Sequence, residues 1–291
     1  MEDVIEMGNT GIVPDNELEQ RYIRYKDVIK ELTIMNDIFM RNVLKKQECV
    51  EYILRTIMEM KDLQIMDHIV QKDYKNLQGR SAILDCVARD DKDKRYNVEI
   101  QQEAEGASPK RARYHSGLLD MNTLNPGQDY EELQDSYVIF ITRDDVLGEG
   151  MPIYHAERVI KETGGMFGDG SHIIYVNSSI QDENTALGRL MHDLNCKNAD
   201  EMYSEILAQR VTELKETEEG SDSMCEALEK LVQEFVQEGE LRGELRGETR
   251  GEIKKAKETA KSLSKEGMSV EKIAQVLRED EDTVRNWLSH E

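Results

Sequence analysis

The run Ser136-Tyr-Val-Ile-Phe-Ile-Thr142 sets five apolar residues in succession, with no polar alternation that could turn one face toward water. A short uninterrupted apolar run of this kind is a strand buried on both faces, which requires covering structure above and below it. Just before it lies a helical stretch over residues 111–124, closed by Asn125-Pro126-Gly127, so the strand is reached by a helical crossover. Upstream, β-like runs at residues 65–70, 81–88 and 95–101 are punctuated by Gly79 and by the polar stretch 89–94, and they form a meander of three strands. Together these features predict an α/β fold with a mixed sheet flanked by helices.

Around that core the chain is expected to divide into four parts. Residues 1–30 are polar and weakly periodic and form an N-terminal tail. A main domain spans 31–210. It opens with Ile34, Ile38, Val43, Leu44, Val50, Ile53, Leu54 and Ile57 at helical spacing, interrupted near 45–48, and it ends in helices from Leu187 onward. Residues 152–162 and 172–177 flank a glycine-rich turn, 164–170, and are expected to pair as a hairpin. Residues 211–253 form a helical connector containing the repeat Glu240-Leu-Arg-Gly, Glu244-Leu-Arg-Gly, Glu248-Thr-Arg-Gly. Its glycines each cost about 1 kcal/mol against alanine in a helix, which Glu and Arg on neighbouring turns would partly offset. Residues 254–291 have the spacing of a helix-turn-helix, with Gly267 closing one helix and Ser269 capping the next. Because Glu279-Asp-Glu-Asp282 precedes the last helix and would repel phosphate, a packing or oligomerisation module is the preferred reading of this part.

With 38% hydrophobic and 34% charged residues, and no apolar stretch near the roughly 20 residues that span a bilayer, the chain is expected to be cytoplasmic and without a membrane partner. The four cysteines are scattered and form no CxxC pair, which argues against a zinc site. A formal net charge of −22 opposes general affinity for nucleic acid, so any such contact has to be local or assisted by a metal.

The chemistry concentrates between Gly79 and Gln101. With the turn centred near Lys92, antiparallel pairing sets Asp85 opposite Glu99, and the strand period puts Gln101 on the same face. Two facing carboxylates repel one another unless a cation or proton lies between them. Magnesium is a suitable cation, held by one or two carboxylates and completing its shell with water and phosphate oxygens. The amide of Gln101 could orient a water or a phosphate oxygen. On spacing alone, a solvated sheet face accounts for the same residues equally well. Ile83 and Val87 share the face of Asp85, however, and would bury it among apolar neighbours.

The ordered set Gly79-Arg-Ser-x-x-Leu-Asp85, Tyr96-Asn-Val-Glu-Ile-Gln101, Arg111-x-Arg-Tyr114 with Ser116, and Gly127-x-x-Tyr130 ahead of the 137–141 strand resembles the PD-(D/E)xK nuclease family transposases, related to the Rpn recombination-promoting nucleases. Asn36, Asp37 and Phe39 resemble that family's opening helix. The likeness spans roughly residues 31–210. It implies a restriction-endonuclease-like core with a helical C-terminal extension, and DNA endonuclease activity dependent on Mg²⁺, with Mn²⁺ as the alternative ion. Asp85 matches the family's aspartate and Glu99 its acidic residue, both as metal ligands, while Gln101 stands where the wider superfamily has lysine. Enzymes of this type often act as dimers, so a homodimer is implied without an interface the sequence can name. The competing reading is a catalytically inactive nuclease-fold protein acting through DNA or protein binding.

Lys110, Arg111 and Arg113 cluster at the start of the helix after the Glu99 strand and are candidate contacts to DNA phosphates. Surface pairing with Glu103 and Glu105 is their alternative. Asp37 is either an additional acid of the site or, preferably, an N-cap or surface residue. The six histidines form no HxH or HxxxH pair and receive no catalytic role.

Overall fold

A computed structural model describes the chain except for residues 1–14, 75–80 and 290–291. Gly79, and the first half of the expected tail, lie outside the described residues. The chain separates into two compact units, Met1–Leu228 and Glu229–Glu291.

The first unit is organised by a six-stranded mixed sheet. Strands β1 (Ile65–Tyr74), β2 (Ala82–Asp90) and β3 (Arg95–Gln101) form the antiparallel meander. Helix α4 (Pro109–Met121) then crosses over to β4 (Ser136–Thr142), which runs parallel to β3. Beyond it lie β6 (Ser171–Asn177), parallel to β4, and β5 (Ile153–Ala156), antiparallel to β6. The strand order is therefore β1-β2-β3-β4-β6-β5. This is a mixed sheet covered by helices, consistent with a restriction-endonuclease-like core.

The apolar run of β4 is buried along its whole length. Tyr137, Ile139 and Ile141 enter one apolar cluster, which also contains buried residues of α2 (Asp37–Val43), α3 (Gln47–Ile57), α5 (Ala186–Asn195) and α6 (Glu205–Glu216). Val138 and Phe140 enter a second cluster with Leu118 and Leu119 of α4 on the opposite face. Each apolar face of a sheet has to be covered, and this single run needs both layers.

Two expectations change. Within residues 1–30, Asp15–Glu31 forms helix α1, because Tyr22, Tyr25 and Ile29 recur at helical spacing and pack on the first cluster. Strand β1 continues past residue 70 to Tyr74, which is buried in the second cluster. The break among the early helices falls where expected, at 44–46.

The β2–β3 turn fixes the register on which the site depends. Asp90 Oδ1 accepts from the backbone N–H groups of Lys92 and Lys94, both at 2.9 Å, and Asp90 Oδ2 accepts from the buried Tyr96 hydroxyl at 2.9 Å. Asp93 takes a left-handed φ of 60° to close the turn. The ladder then pairs Arg89 with Arg95, Val87 with Asn97 and Cys86 with Val98.

In the second unit, α7 (Glu218–Lys265) contributes all but its first turns, followed by α8 (Val270–Leu277) and α9 (Glu281–Ser289) around Ala260, Ile273, Ala274 and Val284. Gly267 ends α7 with a φ of 86°, as a helix stop requires. Ser269 stands at the N-cap position of α8 but makes no side-chain capping bond. The four-residue repeat is helical. Its period of four places Glu240 and Glu244, and Arg242, Arg246 and Arg250, at i,i+4 spacing, so that like charges recur on one side of the helix.

Replacing Asp90 with alanine removes three acceptor contacts and leaves the Tyr96 hydroxyl buried without its partner. Urea unfolding of Asp90→Ala is expected to show a loss of about 1–3 kcal/mol. A loss below about 0.5 kcal/mol would show that this turn does not hold the hairpin.

Candidate active site

Continuing the ladder by one step past Cys86 and Val98 brings Asp85 and Glu99 together at the end of the β2–β3 pairing. The backbone N–H of Asp85 donates to Glu99 Oε1 at 3.3 Å, and the N–H of Ile100 donates to Asp85 Oδ2 at 3.3 Å. Each carboxylate is thus anchored by the strand that carries the other. Glu99 is fully buried, and its Oε1 also accepts from the Asn97 amide at 2.9 Å. Its second oxygen, Oε2, is buried without a hydrogen-bond partner and has Arg111 Nη2 at 3.6 Å.

Behind Glu99 stands His115 of α4, only 3% exposed, with its ring tilted against Phe140 at 5.9 Å between centroids. Arg111 Nε donates to His115 Nε2 at 3.3 Å. An Nε2 that accepts carries no proton, so a neutral His115 is the Nδ1–H tautomer, with that nitrogen 3.4 Å from Glu99 Oε1. Ser108 sets this helix in place by capping its first turn, its hydroxyl accepting from the Arg111 N–H at 3.3 Å.

Asp85 and Gln101 face a cavity of about 570 Å³, whose wall also includes Asp37 and Arg41 of α2, Gln71 and Arg111. Glu99 is not on that wall and lies beneath it. Gln101 packs on Gly106, where an added Cβ would stand 2.2 Å from Gln101 Oε1. Asp37 is the first residue of α2; the N-cap position belongs to Asn36. Asp37 pairs with Arg41 on the same helix.

The Asp85 carboxyl is pushed up from its ordinary value near 3.8 to about 8. Burial is the largest cause, followed by the negative charges of Glu99 and Asp37; the Ile100 N–H and Arg41 pull it back. The expected contribution of Ile83 to that burial is not found, since Ile83 is 54% exposed, whereas Val87 is buried. Strand β1 pairs with β2 as far as Ala82, so Ile83 keeps the face of Asp85 and lines the same cavity, but the β2–β3 ladder ends at Cys86 and leaves Ile83 open to solvent.

Among the described residues, no group of three or more His, Cys, Asp and Glu side chains is arranged to hold a metal ion. A cation at this site would therefore draw on two carboxylates and complete its shell from water and phosphate, as magnesium does. The chain fits such an ion on two counts: a buried carboxylate oxygen of Glu99 lacks a hydrogen-bond donor, and burial, with the nearby negative charges of Glu99 and Asp37, pushes the Asp85 carboxyl up.

Of the expected phosphate contacts, Arg111 lines the cavity, while Lys110 and Arg113 are exposed on the first turns of α4. Three participants were not foreseen. Asn97 lies two residues before Glu99, on the same strand face, and could have been found by period alone. His115 lies one helical turn after Arg111, a spacing that a search for paired histidines passes over. Arg41 lies one turn after Asp37 on α2, a helix distant in sequence from the hairpin, and nothing in the hairpin points to it.

Residues 47–186 match the family model of the PD-(D/E)XK nuclease family transposases. The matched segment runs from α3 to the beginning of α5 and contains Asp85, Glu99, Gln101, Arg111 and His115. Asp37 and Arg41 precede it. The family supports a nuclease-type function, with DNA as its implied substrate, and PD-(D/E)XK nucleases generally use divalent metal ions. No curated protein and no solved structure matches the chain. Among the described residues, no helix is long and apolar enough to cross a membrane.

A folded-state value near 8 means that between about pH 4 and pH 8 the native chain holds a proton that the unfolded chain has lost. Stability in chelator should therefore fall as pH rises through that window. Asp85→Asn removes this slope and should exceed the parent chain by roughly 2–5 kcal/mol at pH 9. Parallel stability curves from pH 5 to 9 for the two chains would contradict the assigned burial.

Proposed function

We propose that this chain is a Mg²⁺-dependent DNA endonuclease of the transposase or recombination-promoting type, hydrolysing phosphodiester bonds at the Asp85 cavity. The observation that carries this reading is the pairing of two carboxylates, one lining an open cavity and one buried beneath it, within a segment that matches the family.

Asp85 and Glu99 would hold the ion, with Mn²⁺ as the alternative. When bound, it would lower the pKa of an attacking water and offset charge on the phosphoryl oxygens. Within this scheme Gln101 orients the water or a phosphate oxygen, since its amide both donates and accepts. Its position depends on Gly106, which leaves room for the side chain. Arg111 offers a guanidinium to a phosphate at the cavity wall, and its link to His115 restrains its direction. His115 and Asn97 are positioning residues that act through Arg111 and Glu99. Lys110 and Arg113, exposed on the same helix, would contact more distant phosphates.

One observation favours the second reading, a non-catalytic protein of the same fold: a neutral amide replaces the lysine cation beside the attacking water. Incubating the purified chain with plasmid DNA separates the two. Cleavage should require Mg²⁺ or Mn²⁺ and fall by a factor of about 10³ or more in Asp85→Ala and Glu99→Ala. Cleavage by the parent chain that persists in either variant, or no cleavage with any divalent ion, would refute the nuclease reading.

Gly106→Ala gives a finer check. It should leave stability within about 1 kcal/mol, because only the mobile end of Gln101 must yield, and should slow cleavage at least as much as Gln101→Ala. Unimpaired cleavage in Gly106→Ala would remove Gln101 from the scheme.

A further inference from the structure

The repeat in α7 stacks like charges on successive turns, which weakens a helix that already carries a glycine at every fourth position. At about 100° per residue, Arg246, Arg250, Lys254, Lys257, Lys261 and Lys265 fall within an arc of roughly 100°, over about 28 Å of helix. Between Ile253 and Lys265, five lysines stand against a single glutamate, in a chain whose net charge is −22. The stripe therefore changes character along its length. In the repeat Arg and Glu are equal in number, but beyond residue 252 lysine outnumbers glutamate.

At that lysine-rich end, Lys254, Lys257 and Lys261 form a groove of about 350 Å³ with Asn286 and Trp287 of α9. The lysines are exposed, and Trp287, the single tryptophan of the chain, is half-buried against the small apolar cluster of this unit. Among the described residues, Glu258 is the one acidic side chain on the groove wall. A helix-turn-helix would instead present the first turn of α9 to a major groove. Here that turn is acidic, with Glu281 and Asp282 following Asp280, whose carboxylate is engaged in capping Thr283.

We propose that the α7–α9 groove binds the phosphate backbone of single-stranded DNA, with an unpaired base stacked on Trp287. Lysines spaced along a helix suit a run of phosphates, an indole suits a base face, and Asn286 can donate to or accept from the strand. The rival occupant is a second copy of the chain, with the arginine stripe of one α7 against the glutamate stripe of another. The excess lysine near Trp287 favours the polyanion. The choice of DNA rests on the function proposed above; the groove itself does not use the Asp85 site.

The test uses the full chain in chelator, with Trp287 fluorescence as the reporter and a thymidine 20-mer as the probe. Fluorescence should be quenched on binding. The triple variant Lys254→Gln, Lys257→Gln, Lys261→Gln should bind about tenfold or more weakly, and its salt slope, log K against log salt, should be shallower by about 2. The corresponding triple arginine variant should retain both affinity and slope. An unchanged tryptophan signal, equal binding by the glutamine variant, or equal loss in the arginine variant would overturn the proposal. So would polyglutamate displacing the DNA as effectively as an oligonucleotide of the same charge. So would light scattering in which the glutamine variant loses a dimer that the parent chain forms. Binding here with no plasmid cleavage would refute the nuclease reading alone, whereas Mg²⁺-dependent cleavage with a silent Trp287 would refute the groove alone.

Discussion

Burying two carboxylates side by side is unfavourable, and the arrangement around Asp85 and Glu99 is organised to tolerate it. Glu99 has no exposed surface, and one of its oxygens is held by Asn97 and the Asp85 N–H. The other has only the Arg111 guanidinium nearby, beyond hydrogen-bonding distance. Asp85 resolves the conflict by keeping its proton to about pH 8. An apolar pair of the same shape would cost less, so the charge is retained against stability. The hairpin register set by Asp90, the cap that starts α4 and the double-sided burial of β4 all hold these two side chains at the end of one ladder.

Much of this was legible in the sequence for definite physical reasons. The uninterrupted run of β4 required two covering layers, and the equal spacing of Asp85 and Glu99 about Lys92 fixed their pairing, because antiparallel register depends only on the turn centre. Features that rest on distant parts of the chain were less accessible. Asp37 and Arg41 reach the cavity from a helix that no local rule links to the hairpin. Ile83 keeps the face of Asp85 but lies past the end of the β2–β3 ladder, on a cavity wall open to solvent, which strand period alone does not reveal. His115 was passed over because it works with an arginine rather than with a second histidine. Tyr22, Tyr25 and Ile29 carried a helical signal that the polar composition around them obscured.

The acidity of the chain takes on a different meaning once charge is followed along the helices. A net −22 repels a phosphate backbone on average, yet Arg111 at the cavity and the lysine groove in the second unit are local exceptions. Local positive charge in an acidic protein confines contact to chosen places, since the remaining surface disfavours wrong registers. The repeat illustrates the same point. Its period of four degrades the helix while sorting charge onto separate stripes, a pattern with no benefit to the isolated helix.

The central claim is that the Asp85–Glu99 pair holds a proton in the place of a cation, and calorimetric titration with Mg²⁺ tests it most directly. Run at pH 7 in buffers of different ionisation enthalpy, it reports the protons released per ion bound. The account predicts saturable binding with release of about one proton, and loss of both binding and release in Asp85→Asn. Binding without proton release, or binding unchanged in Asp85→Asn, would contradict it.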